Sequence, residues 1–102
     1  MITRPGRQSS HMDLDQIYQH LRGRAVVLDP NGPYVYLGTL ICWDALYLHL
    51  EDADVHDLRD TKTTREVYLV EARRLGVNGN RKRVMVRIAD IVSISALDDV
   101  IC

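Results

Sequence analysis

No apolar run in this 102-residue chain approaches the roughly 18 residues that a bilayer-spanning helix needs, so no membrane contact is expected. Cysteine is scarce, with only Cys42 and the final residue Cys102. Two such thiols do not make a disulfide framework and fit a reducing, cytoplasmic compartment. Cys42, inside an apolar stretch, is expected to be a small core group, and Cys102 to be exposed. Net charge is nearly absent, −1 at pH 7, so no overall field draws polyanions. Catalytic signatures are missing too: there is no Gly-x-Ser-x-Gly, no Cys–His constellation and no glycine-rich phosphate loop. Neither an enzyme nor a cofactor is expected. His49 and His56 sit among carboxylates but lack the local spacing of metal ligands. Seven positions apart on a strand, they would face opposite sides, so no metal site is expected.

What is present describes one ordinary domain. Apolar residues make up 46% and charged residues 26%, which argues for a folded chain with a single core. Residues 1–12 carry no apolar segment of the kind found in secretory signals and read as a flexible leader; residues 13–102 read as the domain. Met12 fits an internal start, and Ser9-Ser10-His11-Met12 equally resembles a vector-derived scar.

The charge is uneven along the chain. Between Asp44 and Asp60 six carboxylates face Arg59 alone, a balance of −5, whereas the stretch from Arg65 to Arg87 balances at +5. Such asymmetry suits a basic face that meets phosphates, and suits equally a head-to-tail contact between oppositely charged patches on neighbouring copies.

A short helix is predicted over Asp13–Leu21, capped by the aspartate, with Leu14, Ile17, Tyr18 and Leu21 on one stripe. A strand follows over Arg24–Asp29, then a tight turn at Pro30-Asn31-Gly32-Pro33, where Asn-Gly tolerates positive φ. The second strand, Tyr34–Trp43, contains Gly38 among β-branched and aromatic neighbours. Glycine weakens a plain strand, so its place here marks a sharp bend where a sheet curls over itself. After a turn at Asp44, a third strand from Leu46 to about Leu58 sets Leu46, Leu48 and Leu50 on one face and Tyr47, His49 and Glu51 on the other. Its acidic end is expected to twist into solvent.

Thr64–Leu75 reads as a helix, with capping-box spacing from Thr63 to Glu66, Val67 and Val70 on one face, and Gly76 as terminator. Its rival is a strand over Glu66–Val70, since short apolar runs are ambiguous. A turn over residues 77–80 leads to an alternating strand, Lys82–Ile88, with Val84, Val86 and Ile88 inward. A last short strand runs over Ile91–Ser95. The expected fold is mainly β with short helices: a strongly bent five-stranded antiparallel open barrel behind an N-terminal helix, with a helical insertion between strands 3 and 4.

Two segments carry a family resemblance. Tyr36-Leu37-Gly38-Thr39-Leu40-Ile41-Cys42-Trp43-Asp44, continuing into Leu48-His49-Leu50-Glu51-Asp52-Ala53, is similar to the first motif of the Sm and Sm-like (LSm) family. Val84-Met85-Val86-Arg87-Ile88-Ala89-Asp90-Ile91-Val92-Ser93-Ile94 resembles the second. The resemblance covers most of the chain from Asp13 to Ser95. It implies a homo-oligomeric ring of six or seven copies, in which the fourth strand of one copy pairs with the fifth of the next. It also implies single-stranded RNA at the inner rim, with a base stacked near the third strand and the second-motif arginine packed against it. The chain departs from the pattern in two places. Only Ala45-Leu46-Tyr47 separate Asp44 from Leu48, so the base-reading asparagine is missing, and Ile88 replaces a glycine.

The resemblance makes Arg87 and Tyr47 the candidate RNA ligands, with Arg81, Lys82 and Arg83 as further phosphate contacts. Each has a plainer alternative. Arg87 could salt-bridge a neighbouring aspartate, Tyr47 could be a rim aromatic or a subunit contact, and Arg81–Arg83 could be a solvated turn. Gly38 and Asp44 are expected to be structural, Asp44 fixing its turn through backbone hydrogen bonds. An oligomeric protein scaffold without RNA is the competing function.

Overall fold

A computed structural model describes residues 13–60 and 64–102. The expected leader, residues 1–12, and the expected cap Thr63 lie outside the described residues. Helix α1 (Leu14–Leu21) starts at a capping box: Gln16 N–H donates to Asp13 Oδ1 at 2.8 Å, and Asp13 N–H donates back to Gln16 Oε1 at 3.1 Å. These bonds satisfy two orphan donors of the first turn. The helix buries Tyr18 and Leu21, and Gly23 follows with φ +81°. Strands β1 (Ala25–Pro30), β2 (Tyr34–Trp43) and β3 (Tyr47–Asp57) come next, then helix α2 (Arg65–Leu75), β4 (Arg81–Arg87) and β5 (Ile91–Ala96). All pairings are antiparallel and the sheet order is β4-β3-β2-β1-β5. The expected helix, five strands and inserted second helix are all present, and β4 and β5 form the two outer edges.

Gly38 sits where β2 and β3 press together. The register steps from Thr39↔Glu51 to Leu37↔Asp54, so the β3 pair Asp52–Ala53 faces Gly38 as a bulge, with Asp52 at φ +50°. Such a bulge bends the strand and sharpens the local twist. A Cβ on Gly38 would lie 3.1 Å from Ala53 Cβ and 3.2 Å from Leu50 Cβ. The glycine is therefore required for space rather than for a special φ.

The sheet is apolar on both sides around β1, where consecutive Val26, Val27 and Leu28 are all buried. Val26, Leu28, Leu40, Leu48, Leu50, Ala53 and Val86 form the inner core, closed at one end by Tyr18 and Leu21 of α1. Val27, Val35 and Leu37 form a second core on the outer face, covered by Leu69 and Ala72 of α2 and by Leu97. The inserted helix is thus a lid on the back of the barrel.

Several sequence expectations are corrected. Cys42 is exposed, because a second register shift between Leu40 and Cys42 turns it out of the core. Leu46 is 65% exposed and belongs to the turn, not the core face. The acidic end of β3 stays in the sheet, with Val55, His56 and Asp57 paired to Tyr36, Val35 and Tyr34. The bulge also shifts parity, bringing Ala53 into the core, so His56 falls on the same side of the strand as His49. The cap of α2 is Thr64, whose Oγ1 accepts from Val67 N–H at 3.2 Å, and the helix buries Leu69 and Ala72 while Val67 is 49% exposed. In the β1–β2 turn only Gly32 takes positive φ; Asn31 instead donates its N–H to the Asp90 carbonyl at 2.9 Å.

Candidate nucleic-acid interface

The turn between β2 and β3 is built around Asp44. Its Oδ1 accepts from the backbone N–H groups of Leu46 and Tyr47, both at 2.8 Å, and Asp44 N–H donates to the Tyr47 carbonyl at 3.0 Å. Its Oδ2 lies 3.0 Å from His49 Nε2. The His49 bond, then the two backbone N–H groups, hold the Asp44 carboxyl down at about 2. Short polar side chains favour such turns because they replace backbone partners locally. The Asp44 carboxylate thus bridges the turn backbone and His49.

That turn touches the one joining β4 to β5. Ile88 N–H donates to the Leu46 carbonyl at 2.8 Å. Tyr47 and Arg87 are direct cross-strand partners in the β3–β4 register, followed on the same face by His49↔Met85 and Glu51↔Arg83. Tyr47 is half-buried and Arg87 exposed. A tyrosine and an arginine paired across neighbouring strands, at a corner fixed by backbone hydrogen bonds, can supply a ring to stack a planar base and a cation to pair with a phosphate. The Tyr47–Arg87 pair is where the two motif segments meet.

Arg81, Lys82 and Arg83 are not part of that rim. They occupy the opposite end of β4, about 14–20 Å from Arg87 along the strand, against Ala53 and Glu51. Arg83 Nη2 reaches Glu51 Oε2 at 3.5 Å, and Arg81 Nη1 donates to the Asn80 carbonyl at 3.1 Å. The five cationic and aromatic candidates therefore form two separate groups. His49 is the rim residue that sequence reasoning passed over. Its signal was the alternation that sets it two residues beyond Tyr47 on the same face, within reach of Asp44 across the turn.

A further polar cluster lies under α2. The Tyr68 hydroxyl donates to Asp54 Oδ2, and Asn80 Nδ2 donates to Asp54 Oδ1 at 2.9 Å. The Tyr68 ring stacks on His56 at 4.1 Å. Burial, then the Asp54 carboxylate, pushes the Tyr68 phenol above its usual range, so the hydroxyl remains a donor. No group of three or more His, Cys, Asp or Glu side chains with metal-binding geometry occurs among the described residues. No described helix is long and apolar enough to cross a membrane.

The sequence matches no family model and no curated protein. The fold, however, matches solved structures. A Pyrococcus abyssii Sm protein, solved in complex with a uridine heptamer, superposes with a TM-score of 0.56 at 18% identity, over 84% of this chain and 99% of that one. The P. aerophilum SmAP1 heptamer gives 0.53 at 19% identity, over 84% and 95%. An Sm-like protein from Archaeoglobus fulgidus gives 0.56 at 13% identity, over 85% and 97%. Together with the opening helix, the bent five-stranded sheet and its strand order, these matches show that the chain has the Sm-like fold.

Proposed function

We propose that this protein assembles into a homo-oligomeric ring and binds single-stranded RNA at the rim formed by Tyr47 and Arg87, with weak or altered base specificity. The observation that carries the reading is the Tyr47↔Arg87 pairing at the junction of the two motif turns. It is supported by the likeness to an Sm protein solved with a uridine heptamer and to one described as a heptamer. The open edges β4 and β5 favour a ring, since unpaired strand edges are satisfied by neighbouring copies. Loss of the asparagine leaves stacking and charge as the main sources of affinity, and both tolerate any base. The role is binding rather than catalysis, in the cytoplasm.

Fluorescence anisotropy with labelled oligo-U and oligo-A tests the reading. Affinity should fall steeply between 50 mM and 200 mM salt, as phosphate contacts require. Removing the stacking ring in Tyr47→Ala should weaken binding by about 5- to 150-fold, from roughly 1–3 kcal/mol per stacked base, and Arg87→Ala should also reduce the salt slope. No binding at low salt, or none of these losses, refutes the site. In that case the scaffold reading gains ground, favoured by exposed Val67 and Leu75 on the inserted helix.

A further inference from the structure

We infer that Arg81, Lys82 and Arg83 serve assembly rather than RNA: they hold the acidic end of the neighbouring copy's β5, and so select contact of β4 with β5 over contact of like edges. The inference rests on the ring reading above and gives this basic cluster a role of its own.

The sheet order leaves two open edges, β4 and β5. Two copies can therefore join in three ways: β4 to β4, β5 to β5, or β4 to β5. Backbone hydrogen bonding permits all three, because every edge offers the same row of N–H and C=O groups. Charge does not. Strand β4 carries Arg81, Lys82, Arg83 and Arg87, all exposed, and no acidic residue. Strand β5 is uncharged along its length but is flanked by exposed Asp90 on one side and exposed Asp98 and Asp99 on the other. Joining β4 to β4 sets cations against cations, and joining β5 to β5 sets carboxylates against carboxylates. Like charges placed directly opposite across strands repel. Only the mixed contact brings opposite signs together, and only it leaves each copy a free edge of each kind for the next copy. A like-edge contact stops at a dimer; the mixed contact repeats until it closes.

Antiparallel alignment, the sense of every pairing within this sheet, sets Arg81–Arg83 at the Ala96 end of the next copy's β5, where the short 3-10 turn Leu97–Asp99 carries Asp98 and Asp99. The groups are available for it. Arg83 is 68% exposed and its 3.5 Å contact with Glu51 is long. Asp98 is exposed, and Arg73 Nε donates to its backbone carbonyl at 3.2 Å. Glu51 beside Arg83 also dilutes any attraction of that end of β4 for phosphate, in contrast to Arg87.

Native mass spectrometry and light scattering test this with two variants, Arg81→Glu/Arg83→Glu and Asp98→Arg/Asp99→Arg. Each alone should dissociate towards the 11.7 kDa monomer, with the half-assembly concentration raised by about tenfold or more. Mixing the two should restore association, as should all four substitutions in one chain. The wild-type assembly should loosen as salt is added, a measurement that needs no variant. Variants that assemble like wild type, a mixture of folded variants that stays apart, or salt-indifferent assembly overturns the inference while leaving the ring and its RNA rim standing. A wild-type protein that is monomeric throughout overturns the ring reading itself.

Discussion

Filling the space at Gly38 should unfold the bend on which the barrel depends. The Cβ added by Gly38→Ala would meet Ala53 Cβ at 3.1 Å, Ala53 Cα at 3.2 Å and Leu50 Cβ at 3.2 Å, tighter than ordinary carbon contacts of about 3.5–4.0 Å. One of these atoms is backbone and the other two are rigidly attached to it, so no flexible side chain can swing aside. Overpacking of this kind costs about 1–3 kcal/mol. Gly38 is not at positive φ, so alanine also recovers about 0.4–1 kcal/mol by restricting the unfolded chain. The net loss for alanine is therefore about 1 kcal/mol. Gly38→Val gains about the same entropy but forces two more methyl carbons into the contact, so its overpacking should lie at the upper end and its net loss at about 2 kcal/mol. Urea unfolding can be followed by the single tryptophan, Trp43, which packs edge-on against Tyr18 at 5.6 Å. Pairing Gly38→Ala with Ala53→Gly removes one of the contacts, and the cycle should show a favourable coupling of about 0.5–1 kcal/mol. If Gly38→Val is as stable as wild type, or the second substitution gives no relief, close approach is not the reason for the glycine.

Two further predictions concern stability. Tyr68→Phe keeps the stack on His56 but removes the hydrogen bond to the Asp54 carboxylate, so it should cost about 1.5 kcal/mol and increase amide exchange across α2; unchanged stability and exchange would show that stacking alone holds the helix. Asp44 and Asp57 have carboxyls lowered from 3.8 to about 2, by the His49 side chain first in one case and the Arg59 side chain first in the other. Because both folded values lie below the unfolded one, their stabilisation is complete above about pH 4 and is lost as pH falls through about 2. A plot of urea midpoint against pH from 5 to 2 should therefore slope less in Asp44→Asn/Asp57→Asn than in wild type, and equal slopes would refute the assignment.

How much was legible follows from what each signal depends on. Helix α1, strand β2 and the alternation of β4 are local patterns, and the sequence reads them within a residue or two. Gly38 was legible as a bend because a glycine among Tyr, Val, Leu and Ile has few other uses. The two-residue bulge opposite it was not legible, since Asp52 and Ala53 look like ordinary members of an alternating strand; only the partner strand shows that both face one glycine. The facing of His56 was misjudged because of that bulge, whereas Leu46 was misplaced because the Asp44 turn extends to it. The exposure of Cys42 comes from a separate irregularity, the register shift between Leu40 and Cys42. Burial of β1 on both faces was hidden because its second cover, α2, comes from 36 residues further along, as in the Arg65–Asp29 ion pair at 2.6 Å. Tyr47 and Arg87 were singled out by motif, but their direct opposition is a matter of register, which no single segment encodes.

The position of α2 keeps the inserted helix apart from the Tyr47–Arg87 corner. The helix docks through Leu69 and Ala72 over Val27, Val35 and Leu37, and through Tyr68 onto Asp54 and His56 beyond the bulge. The rim lies before the bulge, at Asp44 to Leu46 and Arg87 to Asp90, tied by its own backbone bonds. The bulge at Asp52–Ala53 thus divides β3 into a rim segment and a lid segment. Side chains on the outer face of the lid segment answer to α2, so substitutions there trade against the helix without moving Tyr47 or Arg87. Opposite the bulge lies the basic end of β4, where Arg81 pairs with Ala53 and Arg83 with Glu51. These side chains are exposed and lie away from the Tyr47–Arg87 pair, so theirs is the charge most free to meet another copy.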